Sequence, residues 1–194
     1  MNIRFLWRIA FLWALTAGAA LATDAAPQLP PVANPNPSPL VTQPAPPPVV
    51  AFEKLITFLP EPPAGWTAEK PSGSTNDIEV FKLSTASRTY QKGDDDDTPV
   101  TTVTILDAGG HQGYFDITTK AWQTDSQTPE GYDKAVEIDG MRGFEHSNIA
   151  AKSSSLSIVV GKRYFIQIDV TNQDPRELRE WLKKIDLKKL AELK

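Results

Sequence analysis

The sequence predicts an α+β fold, an antiparallel sheet built from hairpins with helices on both faces (an α/β/α sandwich). Two observations favour this class. In the middle of the chain, β-branched and aromatic residues recur with the period of two that strands show, and short glycine-containing turns separate the runs. Near the C-terminus the apolar spacing changes to three and four, which is typical of a helix that packs on a sheet.

Residues 1–22 have the pattern of an export signal. Arg4 and Arg8 form a positive start, an apolar run covers 9–19, and the small residues Ala20 and Ala22 suit a signal peptidase. We predict cleavage after Ala22 and a periplasmic or secreted protein. The alternative is an uncleaved membrane anchor, although the run is shorter than the roughly 20 residues that cross a bilayer.

Residues 23–50 form a proline-rich linker. Of the 17 prolines in the chain, 10 lie from Pro27 to Pro48, and no glycine interrupts them. Because proline favours the extended polyproline II conformation, we expect a disordered, semi-rigid spacer that carries one domain over residues 51–194. The alternative is a peptide ligand for an aromatic groove, with Pro44 and the prolines at 46–48 as its docking face.

Composition and charge narrow the function classes. The chain has no cysteine, so it has neither a disulfide framework nor a lipid-attachment cysteine. Its net charge of −4 becomes −6 when the signal is removed with Arg4 and Arg8. A chain of this sign has no electrostatic reason to bind nucleic acid or an anionic membrane.

The apolar spacing predicts the elements of the domain in order. A helix over 50–59 ends at Pro60, and the turn after it buries Trp66 in the core. Strands are expected over 78–83, 87–92 and 100–106. A helix over 114–122 follows, with Tyr114, Ile117 and Ala121 on one side.

Two hairpins are predicted from their turns. Asp139-Gly140 suits a type I′ turn, which pairs Glu137 with Arg142 and Asp133 with His146. Gly161-Lys162 suits a type II′ turn, which pairs Val159 with Tyr164 and Ile158 with Phe165. The second register places large apolar residues on both faces, so it predicts central strands covered on both sides.

A helix should close the domain. Asp174 is the expected cap and Pro175 the first helical residue, and the apolar stripe consists of Leu178, Trp181, Leu182 and Ile185. A second short helix is expected after Asp186, with Leu187, Leu190 and Leu193.

Four stretches of sequence resemble a group of exported bacterial proteins without assigned activity. They are Leu59-Pro60-Glu61-Pro62-Pro63-Ala64-Gly65-Trp66, Ser87-Arg88-Thr89-Tyr90, Gly161-Lys162-Arg163-Tyr164 and Lys184-Ile185-Asp186-Leu187. The order of elements over residues 52–193 resembles the Mog1/PsbP-like α/β/α sandwich. This resemblance implies a compact exported domain and provides no catalytic residues. It favours accessory or partner-binding roles by analogy.

Several residues could carry chemistry, but none forms a recognised motif. The loop Asp94 to Asp97 is interpreted as a solvated acidic hairpin tip, with a weak cation site as the alternative, because it lacks the spacing of a calcium loop. His111 with Asp107 and Asp116 could bind a metal or a proton. The simpler interpretation is an idle histidine in an exposed loop.

The second histidine, His146, faces Asp133 and could be the base of a triad with Ser153, Ser154 or Ser155 as nucleophile. A solvated cross-strand pair is the simpler interpretation, because the sequence has no nucleophile elbow. Glu137 and Asp139 do not suggest a glycosidase pair. Arg163 and Tyr164 could contact a partner, or Tyr164 could pack while Arg163 lies in water.

We therefore expect an exported, non-catalytic binding or accessory module of the bacterial envelope. Its ligand would be an envelope protein or a small molecule. No catalytic, cofactor-binding or metal-ligating residue is assigned. The alternatives are a small periplasmic hydrolase or metal-dependent enzyme, and an envelope-structural domain on a tether.

Overall fold

The computed structural model describes residues 48–78, 81–95 and 97–194, so the predicted export signal and nearly all of the predicted linker lie outside the described residues. The described chain lies in one compact unit, Gln43–Lys194. Its helices are α1 (Phe52–Ile56), α2 (Gln112–Thr119), a 3₁₀ turn (Lys120–Gln123), α3 (Glu177–Leu182) and α4 (Leu187–Glu192). Its strands are β1 (Thr67–Ala68), β2 (Ser72–Ile78), β3 (Phe81–Gln91), β4 (Val100–Asp107), β5 (Ser126–Thr128), β6 (Gly131–Ile138), β7 (Met141–Asn148), β8 (Ser153–Val160) and β9 (Tyr164–Thr171).

The nine strands form one antiparallel sheet, which confirms the predicted α+β class. The strand order is β1-β3-β4-β9-β8-β7-β6-β5, and β2 pairs with β3 alongside β1. The strands predicted over 78–83 and 87–92 differ from the structure, because β3 runs through the expected break, with Ser84 and Ala86 fully buried in the sheet. Across the described ranges, no helix has the length and apolarity that a membrane span requires.

One face of the sheet, the core face, carries the hydrophobic core. In β9 it presents Tyr164, Ile166, Ile168 and Val170, all at most 1% exposed. Ile166 lies between Ile105 of β4 and Ile158 of β8. Leu55 of α1, Trp181 of α3 and Leu190 of α4 belong to the same buried cluster. The opposite face, the polar face, carries the alternate residues of each strand.

The hairpin between β6 and β7 confirms the register predicted from Asp139-Gly140. Glu137 pairs with Arg142, and Asp133 pairs with His146. Asp139 and Gly140 have φ angles of 51° and 75°. These are the two positive angles that a type I′ turn requires.

The register predicted for the hairpin between β8 and β9 is wrong by one residue. Val160 pairs with Tyr164, because Arg163 is an additional residue in the turn and its N–H donates to the carbonyl of Val160. This shift moves every side chain of one strand to the other face. The apolar residues of β8 and β9 therefore gather mainly on the core face, and most of the other face is polar, not apolar as predicted.

Two predicted helices differ from the structure. The first is shorter than 50–59, although Leu55 and Leu59 are buried as its spacing implies. The second has the wrong buried side, since Ile117 is 80% exposed whereas Phe115 and Trp122 are buried. The ring of Trp122 lies 6.2 Å from that of Phe144 and 5.7 Å from that of Phe165. Both phenylalanines point away from the core face.

The closing helices lie where the sequence predicts them, but the predicted start of the first is wrong. α3 begins at Glu177 with Arg176 as its N-cap, two residues after Pro175, the predicted first helical residue. The carboxylate of Asp174 accepts a hydrogen bond from the backbone N–H of Arg176, and the four predicted stripe residues of α3 and the turn after it are buried. Asp186 caps α4 by accepting from the N–H of Lys189. Trp66 is only partly buried, although its ring lies 5.2 Å from that of Trp181 and contacts the core there.

We predict that the tyrosines of this chain ionise at unusually high pH. Burial raises the pKa of Tyr90 and of Tyr164 to about 12, and it also raises the pKa of Tyr114 and Tyr132 above the ordinary value of 10.0. The hydroxyl of Tyr90 donates to the carbonyl of Pro60 at 2.6 Å.

The unfolded chain loses these protons first, so their contribution to stability is complete below pH 10 and is lost as the pH rises toward 12. An ultraviolet titration of tyrosinate should show delayed ionisation in the folded protein and ordinary ionisation in urea. Coincident titration curves would contradict the burial of these phenols.

Candidate functional site

A groove lies where two hairpin ends approach α2, and we call it the hairpin groove. It has a volume of about 400 Å³, which is within the range of small-ligand sites. Its lining residues come from three separate parts of the chain: Gln112, Phe115, Asp116 and Thr119 of α2; Gly140, Met141 and Arg142 at the first hairpin; and Val159, Gly161 and Lys162 at the second.

The two walls of the groove have different chemistry. Phe115 is 5% exposed and lies with the partly buried Met141 and Val159 as the apolar part of the lining. Arg142 and Lys162 are exposed on the hairpin side. On the α2 side, the carboxylate of Asp116 accepts a hydrogen bond from the Gln112 amide at 2.7 Å.

A buried ion pair holds the second hairpin end in place. Asp107 is fully buried, and its two carboxylate oxygens accept from Nε and Nη2 of Arg163 at 2.9 and 2.8 Å. The same carboxylate accepts from the backbone N–H of Val50 and of Gly109, and Arg163 Nη2 also donates to the carbonyl of Pro48.

The predicted placement of Arg163 in water is therefore wrong, whereas Tyr164 packs in the core as expected. The hydrogen bonds with Asp107 raise the pKa of Arg163, which keeps the guanidinium charged. This ion pair fixes the residue that follows Lys162, so it positions one wall of the groove.

A row of polar side chains crosses the polar face. Strand register places Ser126, Asp133, His146, Ser155, Asp169, Thr102 and Thr89 side by side on seven successive strands. His146 Nδ1 lies 2.7 Å from Asp133 Oδ1, as the sequence predicted. Hydrogen bonds from His146 and Ser126 lower the pKa of the Asp133 carboxyl.

Of the three candidate nucleophiles, only Ser155 lies beside His146. Ser154 points toward the core face and donates to the hydroxyl of Ser147 at 2.8 Å. Within the described residues, no hydrogen bond joins Ser155 to His146. Strand β8 is paired on both sides, so its N–H groups serve the sheet and are not free to stabilise an oxyanion. This row has the residue types of a triad without its geometry.

Asp169 is the most buried carboxylate of the row. Burial raises its pKa, and two hydrogen bonds from the Gln167 amide, at 3.0 and 3.1 Å, oppose that rise. Beside it, the hydroxyls of Thr89 and Thr102 hydrogen-bond to each other across two strands at 3.3 Å. In these contacts, polar side chains of this face hydrogen-bond to one another.

The residues predicted around His111 do not form a metal site. Asp107 is committed to Arg163, and Asp116 bonds Gln112. Among the residues that the structure describes, no group of three or more histidine, cysteine or acidic side chains could hold a metal ion. In the acidic loop, Asp94, Asp95 and Asp97 are exposed, while residue 96 lies outside the described residues.

Comparison with known proteins adds no identity to this fold and groove, since no family model, curated protein or solved structure matches the chain.

Sequence reasoning missed the hairpin groove. Its residues lie in three segments, and the contact between them depends on where α2 packs. The sequence did contain one signal, because a cation lies next to each of two adjacent hairpin turns (Arg142 and Lys162). Finding it would have required knowing that the two turns lie at the same end of the sheet.

Proposed function

We propose that this chain is an exported, non-catalytic binding module of the bacterial envelope, with an α/β/α sandwich domain carried on a proline-rich tether. The observation that supports binding most directly is the hairpin groove, which combines an apolar lining with charged groups at its rim. Pockets of this composition are typical of sites that hold a small ligand or a chain end.

Export and tethering rest on the sequence. The signal pattern over 1–22 and the prolines of the linker support a domain that works at a distance from its point of attachment. The proposed cover on the second face of the sheet is supported by the contacts of Trp122 with Phe144 and Phe165. The resemblance to the Mog1/PsbP-like sandwich supports an accessory role by analogy.

A hydrolase is the second candidate, and the polar row is the observation that favours it. Asp133, His146 and Ser155 occur in the right order across adjacent strands. Binding remains the stronger proposal, because Ser155 lies on a regular central strand and not on the exposed turn that an activated serine requires.

The test uses the full chain produced in a Gram-negative host. We expect soluble periplasmic protein whose mass corresponds to cleavage after Ala22. Thermal unfolding of that protein should shift to higher temperature with at least one member of a panel of peptides, lipids and cell-wall fragments, because a ligand bound only to the folded state stabilises it.

Three results would contradict the proposal. Full-length protein retained in the membrane would favour the uncleaved anchor. Esterase turnover that disappears in Ser155→Ala would favour the hydrolase. If no member of the panel shifts the unfolding temperature, and deletion of residues 27–47 abolishes function in cells without unfolding the domain, the envelope-structural role would replace binding.

A further inference from the structure

The charges around the hairpin groove are arranged asymmetrically. Arg142 and Lys162 lie on the hairpin side, and Asp116 lies on the α2 side. None of the ion pairs found among the described residues includes Arg142, Lys162 or Asp116. Other exposed cations do have a partner, as Lys183 has in Glu180 and Arg176 has in Asp174. The groove therefore offers two available cations and one acceptor to a ligand.

The lining between these charges includes apolar side chains. Phe115 is buried, and Met141 and Val159 are half-buried in the same groove. Since Phe115 is already covered, the free apolar surface belongs to Met141 and Val159, and covering it with a ligand side chain is favourable. The volume of about 400 Å³ accommodates one or two residues rather than a long chain.

We propose that the hairpin groove binds the C-terminal end of a peptide whose last residue is apolar. This inference rests on the proposed binding function and names the ligand class of the same site. The terminal carboxylate lies against Arg142 and Lys162, and the last side chain covers Met141 and Val159. A backbone N–H of the peptide donates to Asp116.

The acceptor on the α2 side distinguishes a peptide from a fatty acid. A fatty acid also has a carboxylate and an apolar chain, but it has no donor for the Asp116 carboxylate. One oxygen of the exposed Asp116 carboxylate accepts from Gln112. A fatty acid that covers the other oxygen would remove its water and supply no donor in return, which would weaken binding. A peptide end supplies the anion, the apolar group and the N–H together, so it is complementary to all parts of the lining.

The experiment measures binding of fluorescent acetyl-Ala-Ala-Val-Leu to the full mature chain by anisotropy. The free acid should bind about tenfold or more tightly than the same peptide amide, because hydrogen bonds to a charged group are stronger than those to a neutral one. In the variant Arg142→Gln/Lys162→Gln this preference should vanish. Asp116→Asn should weaken both peptides.

The matched control is Lys54→Gln/Lys70→Gln, which removes the same charge from exposed positions outside the groove. It should leave the preference for the acid unchanged. Equal binding of acid and amide would overturn the proposal. It would also be overturned if the control variant lost as much of the preference for the acid as the groove variant does.

Two further outcomes separate this inference from the proposed function. If octanoate displaces the peptide acid at equal concentration and Asp116→Asn has no effect, the ligand is a fatty acid and the peptide proposal fails. If neither peptide binds while another member of the envelope panel still shifts the unfolding temperature, the module binds elsewhere. In that case the groove proposal fails and the binding function stands.

Discussion

Replacing Asp107 by asparagine should lower the free energy of unfolding by about 3–5 kcal/mol, the usual cost of removing one partner from a buried ion pair. Asp107 is fully buried, and the Arg163 side chain is 13% exposed. The substitution leaves the guanidinium charge in the interior without a counterion.

Asparagine cannot restore the hydrogen bonds in either orientation. Oδ1 of Asp107 accepts from Arg163 Nε and the Gly109 N–H, and Oδ2 accepts from Arg163 Nη2 and the Val50 N–H. Whichever oxygen becomes the amide nitrogen, it faces two donors. The stability is therefore lowered both by the missing charge and by donors that have no acceptor.

Urea unfolding of the full chain measures this effect. Asp77→Asn is the matched control, because Asp77 pairs with Lys82 at the surface, where an ion pair contributes about 0–1 kcal/mol. The double variant Asp107→Leu/Arg163→Met should recover part of the stability, since it removes both charges. A value for Asp107→Asn within about 0.5 kcal/mol of the parent would show that the pair is not buried.

The same ion pair explains which hairpin could be predicted from sequence. The register of the first hairpin is local, because Asp139 and Gly140, two residues with positive φ, make up the whole turn. Gly161 and Lys162 of the second turn also have positive φ, but that turn contains a third residue. The second depends on Arg163, whose partner Asp107 is 56 positions away in the chain. No local pattern shows that an arginine after a Gly-Lys turn belongs to the turn rather than to the strand.

The candidate site was less predictable than the fold for a related reason. The C-terminal helices could be predicted because their apolar stripes, and the Asp186 cap of α4, lie within single segments. The buried side of α2 and the 3₁₀ turn could not be predicted, because it depends on the packing of Trp122 against Phe144 and Phe165 on the sheet. The hairpin groove depends on that packing, so its lining was invisible in the sequence.

Replacing Trp181 by alanine should destabilise the domain by about 3–5 kcal/mol, which is typical of a buried tryptophan truncated in a core. Its side chain is 1% exposed. Its ring meets the ring of Trp66 edge-on at 5.2 Å and that of Tyr90 at 4.7 Å. The truncation leaves a cavity lined by both rings, because α3 is held to the sheet by neighbours that cannot collapse into the space.

Ile117→Ala is the control for this prediction, because Ile117 is large, apolar and 80% exposed, so its truncation should change stability by less than about 0.5 kcal/mol. Trp181→Phe should lose less than Trp181→Ala, since it keeps an aromatic ring beside Tyr90. If Trp181→Ala and Ile117→Ala unfold at the same urea concentration, α3 does not close the core face. The packing of α3 against β3 would then be wrong, because the contact between Tyr90 and Trp181 is its centre.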